Sequence, residues 1–261
     1  LEVEEFTLPS NGKCTAPEPI SFINGKAVIS GSTLGLTNEF GTSIDCTSSP
    51  DYDGEQAYYG LTAAAGKAYK MTYAPSFSSY WYVFQAATCG NTTSMNADCG
   101  SDGADGDNYG FVSSTLPETQ IFRPTLPGSY IIGLDSSAPG TAGSYQLDIE
   151  EFDAPTNDTA CAATPLTFTA GKVSVTGSTD GARNEFGTTS TTGINCDIST
   201  VFDGVQLYYE FTVDATKGYK LSLTPQFANA YLYVFQKGSC AARAAVDADC
   251  GSNGLSGARL G

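Results

Sequence analysis

Short runs of alternating apolar and polar residues make up most of this 261-residue chain. Turn-forming pairs such as Asn24-Gly25 and Pro127-Gly128 separate the runs, and no segment carries the sustained apolar stripe of an amphipathic helix. The pattern predicts strands at residues 27–30, 56–61, 69–74, 80–85, 120–122, 130–134 and 144–150. So many short strands in about 145 residues predict an all-β fold, an antiparallel β-sandwich of jelly-roll or Greek-key type.

A strand followed by two cysteines occurs twice at an offset of 151 residues (233 minus 82). The first copy is Tyr82-Val-Phe-Gln with Cys89 and Cys99, and the second is Tyr233-Val-Phe-Gln with Cys240 and Cys250. An Asn-Glu-Phe-Gly box that begins at Asn38 also recurs, at Asn184, and is followed in the second copy by a four-residue insertion before Cys196. These matches predict tandem sandwich domains at residues 7–152 and 153–261.

The chain begins with a sequence that it repeats later. Residues 1–6 read Leu-Glu-Val-Glu-Glu-Phe, and residues 147–152 read Leu-Asp-Ile-Glu-Glu-Phe. Residues 1–6 are therefore predicted to be the last strand of a preceding repeat, or a donor strand. Gly261 aligns with about Gly110, so the second repeat has no counterpart of the strands at 120–150. Either the sequence is an excerpt from a longer array, or a strand of another chain completes the second sheet.

Charge limits the classes of partner. Acidic residues outnumber basic ones by 28 to 12, and the formal net charge is −16. This balance argues against nucleic acid or an anionic membrane surface as a partner. No run approaches the ~18 apolar residues of a membrane-spanning helix.

Eight cysteines stand at matching positions, four in each repeat. Histidine is absent and there is no Cys-x-x-Cys pair, which argues against zinc and in favour of disulfides formed in an oxidising compartment. Four cysteines in one repeat allow three pairings. We predict local disulfides, Cys14–Cys46, Cys89–Cys99, Cys161–Cys196 and Cys240–Cys250, in an extracellular or cell-surface protein.

One loop of the first repeat is rich in aspartate. Asp98, Asp102, Asp105 and Asp107 alternate with glycines, a spacing of oxygen ligands that suits a calcium ion. The second copy lacks the later carboxylates, so a solvated acidic turn is the alternative. A weaker second candidate consists of Asp51, Asp53 and Asp203, of which the last two would otherwise fix the turn before a strand.

The strand at 80–85 is apolar on both faces, although one face of a sandwich strand normally meets water. Tyr80, Tyr82 and Phe84 line one face, matched by Tyr231, Tyr233 and Phe235 in the second repeat. A loop of the same domain covers this aromatic row, or the row is a surface for a neighbouring repeat or for sugar rings.

Few residues in the sequence indicate a modification site or a catalytic site. Asn91 and Asn157 each begin an Asn-x-Thr motif, the N-glycosylation pattern, which matters only if the source glycosylates its secreted proteins. Without histidine, neither a Ser-His-Asp nor a Cys-His site can form. There is also no Asp-Ser/Thr-Gly pair and no glycine-rich phosphate loop. We therefore predict that the protein is not an enzyme.

The recurring positions resemble the bacterial pre-peptidase C-terminal (PPC) domain and its cysteine-bearing relatives. They are Cys14-Thr-Ala, Gly31-Ser-Thr, Asn38-Glu39, Cys46, Asp53, Tyr58-Tyr59, Tyr82-Val-Phe and Cys89 to Cys99, with the same set between Cys161 and Cys250. The resemblance implies a jelly-roll-like sandwich that is appended to, or repeated within, extracellular proteins. It implies roles in binding, targeting or spacing, sometimes with calcium, and no catalysis. No peptidase domain precedes the repeats in this sequence.

A short linker at residues 153–158, which holds Pro155, should keep successive domains in a near-fixed relation. We predict a structural or adhesive repeat protein that self-associates into a filament or surface array, with strand complementation as one route. The alternative is a carbohydrate- or substrate-binding accessory module of a larger secreted hydrolase. The expected partners are copies of the protein, neighbouring repeats or a polysaccharide.

Overall fold

The computed structural model describes residues 5, 7–46, 52–100, 108–114, 116–186, 194–196, 202 and 204–252. The chain divides into two compact units, Leu1–Ala154 and Pro155–Gly261, referred to below as unit 1 and unit 2. The division falls close to the domain boundary predicted after residue 152. Within the described ranges, no helix is long and apolar enough to cross a membrane.

Unit 1 is a sandwich of two mainly antiparallel sheets. Its elements are β1 (Glu18–Pro19), β2 (Lys26–Ser32), β3 (Gln56–Ala63), β4 (Lys67–Pro75), β5 (Ser79–Gln85), α1 (Thr92–Cys99), β6 (Tyr109–Val112), β7 (Glu118–Phe122), β8 (Gly128–Ser136) and β9 (Ser144–Asp153). One sheet has the strand order β1-β3-β8-β5-β6 and the other β2-β9-β4-β7. The predicted all-β class is confirmed, and each predicted strand of the first repeat overlaps an observed one.

The hydrophobic pattern does not predict β1, β6 or α1. The two-residue β1 and the four-residue β6 are too short to show an alternation. α1 buries only Met95 and Cys99, so it has no apolar stripe that the sequence could reveal. Elements without a periodic signal are thus the ones that only the structure shows.

The main core of unit 1 lies between the two sheets and is built from every second residue of each strand. On β4 the inward residues are Tyr69, Met71 and Tyr73, and on β5 they are Trp81 and Val83. The residues between them on β4 face outward, as the two-residue period of a strand requires. Burial of side chains of this size stabilises a fold by roughly 1.5–3 kcal/mol each.

The last two strands of unit 1 hold each sheet together. β8 pairs with β3 on one edge and β5 on the other, and β9 pairs with β2 and β4. Because both strands are central in their sheets but last in the sequence, the earlier strands lack their main ladder partners until residues 128–153 are in place.

The described part of unit 2 ends at Ser252, which matches Ser101, so it holds no counterparts of β6 to β9. Its strands are β10 (Thr164–Pro165) and β11 (Tyr209–Glu210), and its helix is α2 (Arg243–Ser252). β10 pairs with β11 in the register that β1 and β3 use, Thr164 opposite Tyr209 and Glu18 opposite Tyr59. This pairing, which involves none of the strands β6 to β9, is therefore present in both units. A second sandwich stays a prediction, since no sheet of that size forms in the part of unit 2 that the structure describes.

Candidate assembly site

All eight cysteines form disulfides, but the predicted local pairing is wrong. The observed bridges are Cys14–Cys89, Cys46–Cys99, Cys161–Cys240 and Cys196–Cys250. Both units use the same connectivity, which agrees with the sequence repeat. Disulfides of this number indicate a secreted or otherwise extracytoplasmic protein.

Helix α1 explains why Cys89 and Cys99 do not pair. Cys89 precedes the helix and Cys99 is its last residue, so about 12 Å of helix lies between them. A disulfide requires Cα atoms closer than about 7 Å. Cys99 instead meets Cys46 at a Cα separation of 5.1 Å, and Cys89 meets Cys14 at 5.8 Å. Sequence proximity was therefore a poor guide to the partner.

Hydrogen bonds reinforce the disulfide that joins α1 to the loop between β2 and β3. The Asn96 Oδ1 atom accepts from the backbone N–H groups of Asp45 and Cys46, at 3.1 and 3.3 Å. In unit 2 the Oδ1 atom of Asp247 accepts from Asn195 and Cys196 in the same way. This contact recurs in both units, so it belongs to the repeat and fixes the loop over the sheet.

The Asn-Glu-Phe-Gly box makes hydrogen bonds that hold a loop in place. The Glu39 N–H donates to Oε1 of the buried Gln56 at 2.8 Å, and Oε2 of Glu39 accepts from the Cys14 N–H at 2.9 Å. The matching Glu185 N–H donates to Gln206 Oε1 at 3.1 Å. The box therefore connects a strand of the sheet to the loop that carries the cysteine.

In unit 1 the same network ends at a buried carboxyl group of β8. Asp135 is fully buried; Oδ2 accepts from Gln56 Nε2 at 2.7 Å and Oδ1 accepts from the Gly54 N–H at 3.1 Å. Loss of solvation raises the pKa of Asp135 well above its usual range, although these two donors act in the opposite direction. The sequence does not single out Asp135, because the described part of unit 2 lacks its counterpart.

The aromatic row of unit 1 is covered from within the unit. Tyr80, Tyr82 and Phe84 are all buried. Tyr52 stacks on Tyr80 with ring centroids 4.2 Å apart, and Met95 of α1 belongs to the same cluster. The loop-covered alternative is therefore the observed one, and in unit 1 this row is not a surface for assembly or for sugar.

In unit 2 the matching row is only partly covered. Phe202 stacks on Tyr231 with centroids 4.3 Å apart, yet Tyr231 remains 42% exposed. Tyr233 and Phe235 are half-buried against a cluster that contains Val246 of α2. The same kind of cover is present, but it leaves part of the row in contact with solvent.

Among the remaining predicted site residues are the candidate calcium ligands. Asp98 is half-buried in α1, whereas Asp102, Asp105, Asp107, Asp51 and Asp203 lie outside the described residues. No group of three or more His, Cys, Asp or Glu that could hold a metal ion forms within the described ranges. Calcium therefore stays a prediction.

The two glycosylation motifs have different surroundings. Asn91 is exposed and caps α1, with its Oδ1 atom accepting from the Ser94 N–H at 3.1 Å. Asn157 is half-buried, and its Nδ2 atom, the one that glycosylation would modify, donates to the Tyr208 carbonyl at 2.9 Å. Asn91 is accordingly the more accessible of the two acceptors.

Unit 2 exposes side chains at positions that form the core of unit 1. Leu221 is 41% exposed and Leu223 is 52% exposed, whereas Met71 and Tyr73 at the matching positions of β4 are 3% and 2% exposed. Val175, at a position that matches β2, is 47% exposed. We refer to these three exposed residues, Val175, Leu221 and Leu223, together as the open face.

No protein-family model matches the chain, and no curated protein matches it. Among solved structures, the chain is similar to PliG of Aeromonas hydrophila, a periplasmic lysozyme inhibitor of g-type lysozyme. The sequence identity is 17% and the TM-score is 0.31, over 52% of this chain and 96% of the inhibitor. A TM-score this low carries no inference about function.

Proposed function

We propose that this chain is a non-enzymatic, extracellular structural or adhesive repeat protein that associates with copies of itself through the open face of unit 2. The association would build a filament or a surface array. A role inside a multidomain secreted protein agrees with the resemblance to PPC domains.

The observation that carries the proposal is the contrast between the two units. Large apolar side chains are buried in unit 1 and exposed at the matching positions of unit 2. Contiguous exposed apolar surface rimmed by polar residues is typical of an interaction site. Unit 2 is also anchored by two disulfides, which hold its loops in place while the face stays uncovered.

Negative-stain electron microscopy of the purified chain, with and without a calcium chelator, tests the proposal. We expect periodic filaments, and their loss in chelator would show that assembly needs calcium, for which the loop that holds Asp102, Asp105 and Asp107 is the predicted site. Leu221→Asp should abolish the filaments, whereas Ser222→Asp places the same charge on the outward position that matches Thr72. Dispersed particles in both conditions would overturn self-assembly and direct attention to polysaccharide binding.

A further inference from the structure

An exposed two-residue turn leads into β2. Its residues, Asn24 and Gly25, have positive φ angles of 52° and 75°, as a type I′ turn requires. Two hydrogen bonds between Ile23 and Lys26, of 2.8 and 3.1 Å, close the turn. Asn24 is exposed, and the Gly25 N–H donates to none of the residues that the structure describes. The side-chain amide and the backbone nitrogen that follows it are thus both open to reaction.

An asparagine followed by glycine can react with its own main chain. The backbone nitrogen of Gly25 attacks Cγ of Asn24, the amide nitrogen leaves as ammonia with the proton of that nitrogen, and a cyclic succinimide forms. Water then opens the ring at one of its two carbonyl groups, which leaves aspartate or isoaspartate at position 24. Glycine favours the attack because it has no Cβ to crowd its nitrogen. Water is the only co-reactant.

The closed turn must open before the nitrogen can reach Cγ. The attack requires rotation about the Cα–C bond of Asn24, which the two Ile23–Lys26 bonds restrict, together with a third bond from the Glu151 N–H to the Gly25 carbonyl at 2.7 Å. Ile23 belongs to no strand and is 77% exposed, so breaking these bonds uncovers little apolar surface. The turn can therefore open locally while unit 1 stays folded.

Another Asn-Gly pair of unit 1 lacks this freedom. Asn11 is 3% exposed, and its carbonyl accepts from the Tyr58 N–H at 2.8 Å. A Cβ atom added to Gly12 would lie 2.9 Å from the Leu36 side chain, so this pair is closely packed. Asn11 can react only when part of the core opens. A third pair, at residues 253–254, lies outside the described residues.

Unit 2 builds the same turn without asparagine. Ala170 and Gly171 have φ angles of 51° and 76°, and Thr169 and Lys172 exchange hydrogen bonds of 2.9 and 3.1 Å. The shape of the turn therefore does not require asparagine. Asn24→Ala copies the turn of unit 2 and is the matched control variant.

We propose that Asn24 is a site of spontaneous deamidation, and that the isoaspartate formed there loosens the start of β2. Isoaspartate adds one carbon to the main chain of a two-residue turn, so the two Ile23–Lys26 bonds cannot both be kept. Lys26 also stands opposite Glu150 of β9 and pairs with it at 3.4 Å, directly beside the lengthened turn. In the sheet that the structure describes, β2 has a partner strand on one side only, so β9 alone holds it. The modification does not depend on the proposed self-association.

Peptide mapping of the full chain after incubation at mildly alkaline pH tests the modification. Trypsin releases residues 1–13 and 14–26 from the reduced and alkylated chain, and the only asparagines in them are Asn11 and Asn24. We expect Asn24 to gain the mass difference between aspartate and asparagine faster than Asn11, on the order of ten-fold or more. Incubation in urea should bring the two rates together, because Asn11 is then exposed as well. Asn24 that reacts no faster than Asn11 in the folded chain would overturn the proposal.

Limited proteolysis of the native chain tests the effect on β2. Trypsin should cleave after Lys26 faster in incubated wild type than in fresh wild type, whereas incubated Asn24→Ala should match the fresh protein. Fresh Asn24→Asp adds the charge without the extra main-chain carbon and should also match fresh wild type. The fluorescence of Trp81, a core residue of unit 1, shows whether each variant is folded. Equal cleavage of incubated and fresh wild type, or equal acceleration in Asn24→Ala, would overturn the loosening of β2 by isoaspartate.

Discussion

The disulfide Cys46–Cys99 joins the loop between β2 and β3 to helix α1, and its removal should greatly lower the free energy of unfolding of unit 1. The perturbation is the double variant Cys46→Ala with Cys99→Ala. The two residues are 53 apart in sequence, and closing a loop of that length constrains the unfolded chain by about 4 kcal/mol at 25 °C. A local bridge around a ring of about ten residues would contribute only about 3 kcal/mol by the same relation. We therefore expect the free energy of unfolding of unit 1 to fall by about 4 kcal/mol.

Tryptophan fluorescence during urea unfolding measures this loss for unit 1 alone. The chain has a single tryptophan, Trp81, and it is 4% exposed in the core of unit 1. The matched control is Cys196→Ala with Cys250→Ala, which removes the equivalent bridge of unit 2 across a separation of 54 residues. The control should leave the tryptophan transition close to that of the wild type. A loss under about 1 kcal/mol in the unit 1 variant would refute the loop-entropy argument.

The pairing itself can be checked without any substitution. Cyanogen bromide cleaves after Met95, which lies between Cys89 and Cys99, and trypsin cleaves on both sides of the segment that holds Cys14. Under non-reducing conditions the Cys14 peptide should remain attached to the Cys89 peptide, and the Cys46 peptide to the one that holds Cys99. A Cys14 peptide attached to the Cys46 peptide would instead support the local pairing and contradict the structure.

Three further predictions use the same tryptophan signal. Burial raises the pKa of Asp135 in the folded state, so the contribution of this carboxyl to stability is present below about pH 4, the ordinary pKa of Asp, and is lost as pH rises through the folded-state pKa. Asp135→Asn should flatten that part of the curve of stability against pH. An unchanged curve would contradict the assignment. Gly133→Ala places a methyl group 2.4 Å from the Tyr82 ring and should destabilise unit 1 by about 1–3 kcal/mol; a neutral variant would show that the ring can move aside. Asn96→Ala should cost about 1–2 kcal/mol through its two lost acceptor contacts, whereas Asn96→Asp should cost less because Asp247 makes the same contacts in unit 2; equal losses would refute that role.

Much of unit 1 could be predicted from its sequence. The alternation along 69–74 and 144–150 correctly located β4 and β9, because a half-buried strand shows its two faces as a two-residue period. The apolar residues on both faces of β5 showed that its aromatic row needed a cover. They did not show which part of the chain supplied that cover. Tyr52 and Met95 supply it from a loop and a helix without periodic pattern, so no local signal identified them.

The candidate site was only partly visible in the sequence. The match between residues 1–6 and 147–152 predicted a strand that could join the sheet of another domain. It did not show where such a strand would lie, because strand order in a sheet is independent of order in the chain. That β9 lies between β2 and β4, and meets lysines on both sides, required the three-dimensional pairing.

The sequence by itself determined the all-β class, the two-fold repeat and the participation of every cysteine in a disulfide, since these follow from local alternation, self-similarity and residue counts. Only the tertiary structure decided which cysteines meet, which aromatic residues are buried and which strands are central in the sheets of unit 1. A disulfide joins cysteines that are close in space, and the helix between Cys89 and Cys99 keeps those two apart. A core closes only when its central strands are present, and β8 and β9 are central in their sheets although they come last along the chain.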